Sequence, residues 1–196
     1  MPPAWELRPL CEAERGDAAA LVWQAFSRKI GTALFPAPKA RAVLARAIRP
    51  CCAIAVATPE DGLMGLAGFR LPGGAGFVEI GKAELTPVYG RAGALWRGWL
   101  LDRFGREGRE GELVLETLCV RADLRGRGIG SALIGAVESE ARMLGLCAIG
   151  LEVADANPRA RALYERRGYR AEAAVPAGPL GPVLGFRSAT RLVHRL

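Results

Sequence analysis

The run Leu115–Gly145, LETLCVRADLRGRGIGSALIGAVESEARMLG, constrains this chain more than any other. It reads as an apolar strand, a glycine-rich turn and then a helix with Ile129, Leu133, Ile134, Val137 and Ala141 on one face. The first amides of a helix have no intrahelical partner, and the helix dipole adds positive potential there. A strand–glycine turn–helix unit is therefore a ready phosphate site. Gly126, Gly128 and Gly130 are expected to accept positive φ and to let a ligand approach the backbone. Arg125 and Arg127 are expected to add charge-assisted contacts to an anion. The chain lacks the Gly-Lys-Ser/Thr of a Walker loop, and its GxGxG spacing is not the GxGxxG of dinucleotide folds. On these residues alone, the turn either binds a phosphate or merely joins a strand to a helix.

The flanking sequence predicts strands and helices in mixture. Trp5–Leu10 reads as a first strand, and Asp17 as the cap of a helix carrying Ala20, Leu21, Val22, Ala25 and Phe26. A second helix is expected over Lys39–Arg49, stopped by Pro50. Cys52–Thr58 and Leu63–Leu71 read as a hairpin around the turn Pro59–Gly62. An amphipathic helix is expected over Pro87–Phe104, then a strand over Glu112–Arg121 and the helix Gly128–Leu144. Ala148–Val153 is a strand, Pro158–Arg167 a helix stopped by Gly168, and Tyr169–Ala173 a strand. Pro176–Pro182 reads as a loop, and Val183–His194 as a last strand pairing back. This order points to an α/β or α+β domain with a partly antiparallel sheet. A length of 196 residues suits one domain with a sizeable core.

Several classes of function are disfavoured. Five cysteines and one histidine, His194, form no zinc-ligand spacing, so no metal site is expected. The odd cysteine count, with no basic-then-apolar start, argues for reduced thiols and a cytoplasmic location. Cys119 and Cys147 sit among apolar residues and read as small buried hydrophobes. The net charge of +7 is carried almost wholly by arginine. Those arginines are dispersed, with no aromatic interleaving, so no nucleic-acid partner is expected. No apolar run is long enough to span a bilayer, so no membrane partner is expected.

Arg-x-x-Gly-x-Gly after a Leu-x-Val strand, here Leu118, Val120, Arg125, Gly128 and Gly130, resembles the pyrophosphate motif of the GNAT family of N-acetyltransferases. A second element, LEVADANPRARALYERRGY, resembles the family's later strand and helix through Asn157, Ala160, Leu163, Tyr164, Gly168 and Tyr169. The close resemblance covers about residues 112–172; the first 110 match only in coarse order. It implies one GNAT-like domain over 1–196, of the α/β (α+β) class, with a mixed, mostly antiparallel central sheet flanked by helices. It implies acetyl-coenzyme A as acyl donor and no metal.

By position, the resemblance gives the backbone of Leu118, Cys119 and Val120 the pantetheine arm. It gives Arg125, Gly126, Arg127, Gly128, Ile129, Gly130 and Ser131 the pyrophosphate. Asn157 would contact the pantetheine, cap a helix, or do both. Tyr164 would be the acid for the departing thiolate, the alternative being a core aromatic. The base would be Glu116, which period-two alternation puts on the strand face of Leu118 and Val120, or Glu152 on the next strand. The alternative for either is a structural carboxylate facing an arginine.

The implied reaction is direct acetyl transfer, in a ternary complex, to a primary amine of a small molecule. A protein N-terminus or lysine is the alternative acceptor, and a non-catalytic acyl-CoA-binding sensor is the alternative of another class. The acceptor site would be built by Phe26–Pro38 and Lys82–Gly111. Within the second segment Tyr89, Trp96, Trp99 and Phe104 either line a pocket or form the buried face of a helix. The same long segment is also where a homodimer contact would form.

Overall fold

Seven strands form one sheet in the order β1-β2-β3-β4-β5-β7-β6. They are β1 (Glu6–Pro9), β2 (Ala53–Thr58), β3 (Gly62–Arg70), β4 (Glu112–Val120), β5 (Ala148–Ala154), β6 (Arg170–Pro176) and β7 (Ser188–Arg195). Only β4 and β5 run parallel; every other neighbouring pair is antiparallel. The helices are α1 (Arg15–Leu34), α2 (Ala37–Ala47), α3 (Lys82–Leu101), α4 (Ile129–Met143) and α5 (Pro158–Arg166). This is the expected α+β class. The computed structural model describes residues 5–101, 109–176 and 188–196. Phe104, most of the Pro176–Pro182 loop and the start of Val183–His194 lie outside the described residues.

The two faces of the sheet bury separate cores. On one face α4 sets Ile129, Leu133, Ile134, Val137 and Ala141 against Ala67, Phe69, Leu113, Leu115, Ile149, Leu151 and Val153. On the other, α1 and α2 bury Leu21, Val22, Leu44 and Ile48 against Ala55, Leu63, Leu66, Phe77 and Cys119. Each such large aliphatic side chain contributes roughly 1.5–3 kcal/mol through its burial. Gly68 is required on the second face, because a Cβ there would lie 2.2 Å from the Phe77 ring.

Three local expectations are corrected. The residue preceding α1 is Glu14, not Asp17, which sits inside the first turn. Arg8 holds Glu14 through two 2.8 Å bonds, and the Cys11 amide donates to the same carboxylate at 3.0 Å. Cys147 is exposed, because the turn after Gly145 leaves it at a strand entrance; Cys119 is buried as expected. The segment expected over Pro87–Phe104 begins earlier, at Lys82, and is bent at Gly90 (φ 71°, ψ 170°). That bend breaks the single apolar stripe. Tyr89 packs inward, its hydroxyl donating to the Leu34 carbonyl, whereas Trp96 and Trp99 are 47% and 60% exposed. The two tryptophans are therefore not the buried face of the helix. The Arg97 guanidinium lies over the Tyr89 and Trp96 rings, 3.8 and 4.1 Å from their centroids.

One seam positions the site. The strands β4 and β5 pair over only three residues, Glu112↔Ala148, Leu113↔Ile149 and Val114↔Gly150, and then part. Under the seam, the buried Glu112 carboxylate accepts two bonds from Arg191 Nη2 of β7, at 2.6 and 2.7 Å. This pair crosses β5 at Gly150, where a Cβ would lie 1.8 Å from Glu112 Oε1. Glycine is thus needed there for the two charges to meet.

Candidate active site

Above the seam the parted strands open a cleft of about 790 Å³. Its wall on one side is the end of β4. In an antiparallel ladder, alternate residues turn their N–H and C=O toward the neighbouring strand. The Arg121 amide donates to the Met64 carbonyl of β3 at 2.9 Å, so Arg121 and Cys119 address β3. Leu118 and Val120 therefore turn their amides and carbonyls the other way, toward the cleft they line. A ligand lying there meets strand backbone with spare hydrogen-bonding groups.

The far end of the cleft is the glycine turn. Gly126 and Gly128 have φ of 82° and 84°, a region that glycine enters without penalty. A Cβ at either position would meet nothing within 4 Å, so these residues are glycine for conformation and not for lack of room. Gly130 differs from expectation: it lies within α4 and has no positive φ. The first helical bond runs from the Ala132 amide to the Gly128 carbonyl at 3.0 Å. The amides of Ile129, Gly130 and Ser131 precede it, at the positive end of the helix dipole, and these residues line the cleft. Arg125 lines it too, with Nε donating to the Val120 carbonyl at 3.3 Å. Arg127 is not among the lining residues. Arg121 braces the turn from outside, bonding Asp123 at 2.7 Å and the Asp61 carbonyl at 3.1 Å.

The opposite wall is α5. Asn157 caps it, accepting from the Ala160 amide at 3.2 Å, and also lines the cleft. The helix ends in a Schellman turn: Gly168 has φ 88°, its amide donates to the Glu165 carbonyl, and the Tyr169 amide donates to the Tyr164 carbonyl. Arg167 clamps α5 to α4 through Glu138 at 2.5 Å. Tyr164 is held between the cleft and the core, with its ring centroid 5.7 Å from that of Tyr169. Burial, with a smaller effect of Cys119, pushes the Tyr164 phenol up to about 12. Burial likewise pushes the Cys119 thiol up to about 12, which leaves it a protonated packing group and not a nucleophile.

Glu116 is where alternation misleads. The β3–β4 register shifts between Gly68 and Phe69, which pair with Thr117 and Leu115, so Glu116 is the extra residue of a bulge. Leu118 and Val120 pack toward the α4 core. Glu116 turns to the other face, accepting from Arg70 Nε at 2.7 Å and from the Phe77 amide at 3.0 Å. Arg70 also pairs with Glu79 at 2.8 Å. Glu152 lies on β5, two residues beyond the last β4–β5 pair and opposite Arg191 in the β7 register. It shares a strand face with Gly150 and hence with the Glu112 carboxylate. Glu116 and Glu152 thus flank the parting on one face of the sheet, outside the lining of the cleft.

Sequence reasoning missed Arg159, Ala162 and Arg166, which line the cleft from α5, and Ala25 of α1 at its mouth, beside Phe26, where the expected acceptor segment begins. The signal was available on α5. Residues 159, 162, 163 and 166 have the spacing of one helical face, with an arginine at each end.

A parting with free strand amides at one end and a phosphate turn at the other fits a ligand that carries amides and phosphates in a line, as acyl-coenzyme A does. The class defined is an acyl-CoA-dependent acyltransferase. The chain belongs to the acetyltransferase (GNAT) family, whose model matches residues 20–169. It is an enzyme of that family, which uses acetyl-coenzyme A as donor. A search of curated protein sequences finds no match. Among solved structures, an N-acetyltransferase from Staphylococcus aureus Mu50 is 17% identical, covers 96% of this chain and 100% of its own, and superposes with a TM-score of 0.71. A GCN5-related N-acetyltransferase from Kribbella flavida is 20% identical over 100% of both chains, with a TM-score of 0.60. The ribosomal-protein-S18-alanine N-acetyltransferase from Escherichia coli is 14% identical, covers 97% of this chain and 93% of its own, and has a TM-score of 0.54. At these identities the likeness is one of fold. Among the described residues no group of acidic, cysteine or histidine side chains stands together as a metal site, and no helix is long and apolar enough to cross a membrane.

Proposed function

We propose that this protein transfers an acetyl group to the primary amine of a small molecule, by direct attack in a ternary complex. The observation that carries the reading is the pairing of cleft-facing Leu118 and Val120 backbone with Tyr164 across the same cleft. Bound acetyl-coenzyme A supplies a thioester, an acyl group activated toward an amine. The Leu118 and Val120 backbone takes the pantetheine arm, and the amides of Ile129–Ser131, with Gly126, Gly128 and Arg125, take the pyrophosphate. A Val120 amide aimed at the thioester oxygen would stabilise the charge that develops there. Tyr164 holds a proton for the departing sulfur. Its raised pKa keeps the phenol protonated across the physiological range, so the acid form is always present.

The amine must lose a proton, and the two carboxylates flanking the parting are the receivers we assign, directly or through water. Glu116 stands in an ion pair with Arg70, which also makes it the anchor of the segment leading to Phe77. Glu116→Gln and Glu152→Gln separate the roles: the base variant loses the acidic limb of the rate profile, and the anchor variant loses stability. The protein N-terminus remains the alternative acceptor, and the ribosomal-protein acetyltransferase among the structural neighbours is the model for it. Thiol release from acetyl-coenzyme A, screened against small amines and peptides, tests the reading. Release with small amines supports it, release with peptides alone replaces the acceptor, and binding without release with either reduces the protein to a sensor.

A further inference from the structure

Cys51 and Cys52 take no part in the cleft. They close the single 3-10 turn Pro50–Cys52 between α2 and β2, with Cys51 exposed and Cys52 buried. Their Sγ atoms lie 3.7 Å apart, and the Cys52 thiol faces the Ala75 carbonyl at 3.6 Å. Burial, with Cys51 beside it, pushes the Cys52 thiol up to about 11, so it is protonated at neutral pH. We propose that this pair is a vicinal dithiol site that captures a monosubstituted trivalent arsenical through both sulfurs.

The geometry favours a bridging atom over a direct bond. A disulfide needs its sulfurs about 2.05 Å apart and its Cα atoms usually about 4.4–6.8 Å apart, whereas adjacent residues hold theirs at about 3.8 Å. A bridging centre needs no such closure. Two sulfurs bonded at about 2.3 Å to a pyramidal or tetrahedral centre, at angles of about 95–109°, stand about 3.4–3.8 Å apart, a range that includes the 3.7 Å found here. A linear two-thiolate metal would require about 4.6 Å, and a tetrahedral metal would require two more ligands. No cluster of three or more His, Cys, Asp or Glu side chains is present among the described residues to supply them. A monosubstituted arsenical brings its own third bond, to carbon, and asks the protein for two soft sulfurs only.

The step balances without an oxidant. The arsenic–oxygen bond of the oxide breaks, two arsenic–sulfur bonds form, and both thiol protons leave with the oxygen as one water. Arsenic stays trivalent. Exposed Cys51 makes the first bond, and Cys52 closes the ring by leaving the Ala75 carbonyl. Ala75 precedes Gly76, whose amide donates to Glu79 beside the Arg70–Glu116 pair, so the site touches the segment that covers Glu116.

The test is intact-mass analysis of the full chain with phenylarsine oxide, under reducing-agent-free conditions. The expected product is one phenylarsenic per chain with loss of one water, resistant to excess glutathione, stripped by 1,2-ethanedithiol, and mapped to the peptide holding Cys51 and Cys52. Cys51→Ser, at an exposed position, is expected to abolish the glutathione-resistant adduct. Cys11→Ser/Cys147→Ser, which removes the other exposed thiols, is expected to retain it. No adduct on the wild-type chain, a resistant adduct on Cys51→Ser, or its loss from the double variant would each overturn the proposal.

Discussion

Replacing Gly128 by alanine separates the phosphate turn from everything around it. Gly128 precedes α4 with φ 84° and ψ −7°, and a Cβ there meets nothing within 4 Å. No clash enters the cost. What enters is the left-handed conformation itself, about 1–2 kcal/mol for an L-residue. Residues 125–128 are exposed, so the free protein relieves that strain by relaxing the turn, and ligand binding must restore it. Only the restored fraction binds, and the dissociation constant rises by its reciprocal, about 5- to 30-fold. Gly130 is the internal control. It has no positive φ, and its Cβ would meet Leu163 Cδ2 at 3.4 Å, an ordinary contact. Gly130→Ala is expected to bind within about two-fold of the parent chain. Titration calorimetry with coenzyme A on the three proteins, with melting curves alongside, reads both effects. Equal binding by Gly128→Ala, or equal weakening by Gly130→Ala, would show that the ligand does not grip a left-handed turn, and the reasoning would fail.

Other outcomes follow from the same geometry. Tyr164→Phe is expected to lower kcat by about 10²-fold or more while leaving coenzyme binding near that of the parent; unchanged kcat, where chemistry limits the rate, removes Tyr164 from the acid role. Burial raises the phenols of both Tyr164 and Tyr169 above the ordinary value of 10.0, so their neutral forms are favoured in the folded chain. That contribution is complete below pH about 10 and is lost as pH climbs through about 12, and thermal unfolding against pH is expected to show the loss on the alkaline side only. Arg191→Met strands the buried Glu112 carboxylate and is expected to cost about 3–5 kcal/mol, a fall in Tm of roughly 6–20 °C. Adding Glu112→Leu is expected to recover most of it; a double variant no more stable than the single would refute the pair as the source.

What was legible in the sequence was local. Leu118–Ser131 carries its strand, glycine turn and helix start within one short window, so this unit could be read before any packing was known. Asn157-Pro158 announced the start of α5 in the same way. What failed needed partners distant in sequence. Alternation placed Glu116 with Leu118 and Val120, and a bulge, set by the pairing of β4 with β3, turned it to the other face. The partner of Glu112 lies 79 residues away, and only the sheet order brings it across Gly150. Trp96 and Trp99 kept helical spacing, yet the bend at Gly90 rotated them toward solvent. Gly130 looked like its two neighbours in the motif because letters do not report φ.

The short seam between β4 and β5 has a consequence for the chain as a material. A sheet ordinarily has two edges, here β1 and β6. By parting after Val114 and Gly150, this one gains two more in its middle, with backbone groups ready to pair with any extended segment that enters. Among the described residues this inner edge is bordered by α1, α4 and α5. A donor lying along Leu118–Val120, as proposed above, would mend the tear as well as feed the reaction. Emptying the parting is therefore expected to raise the tendency of these edges to pair with other strands.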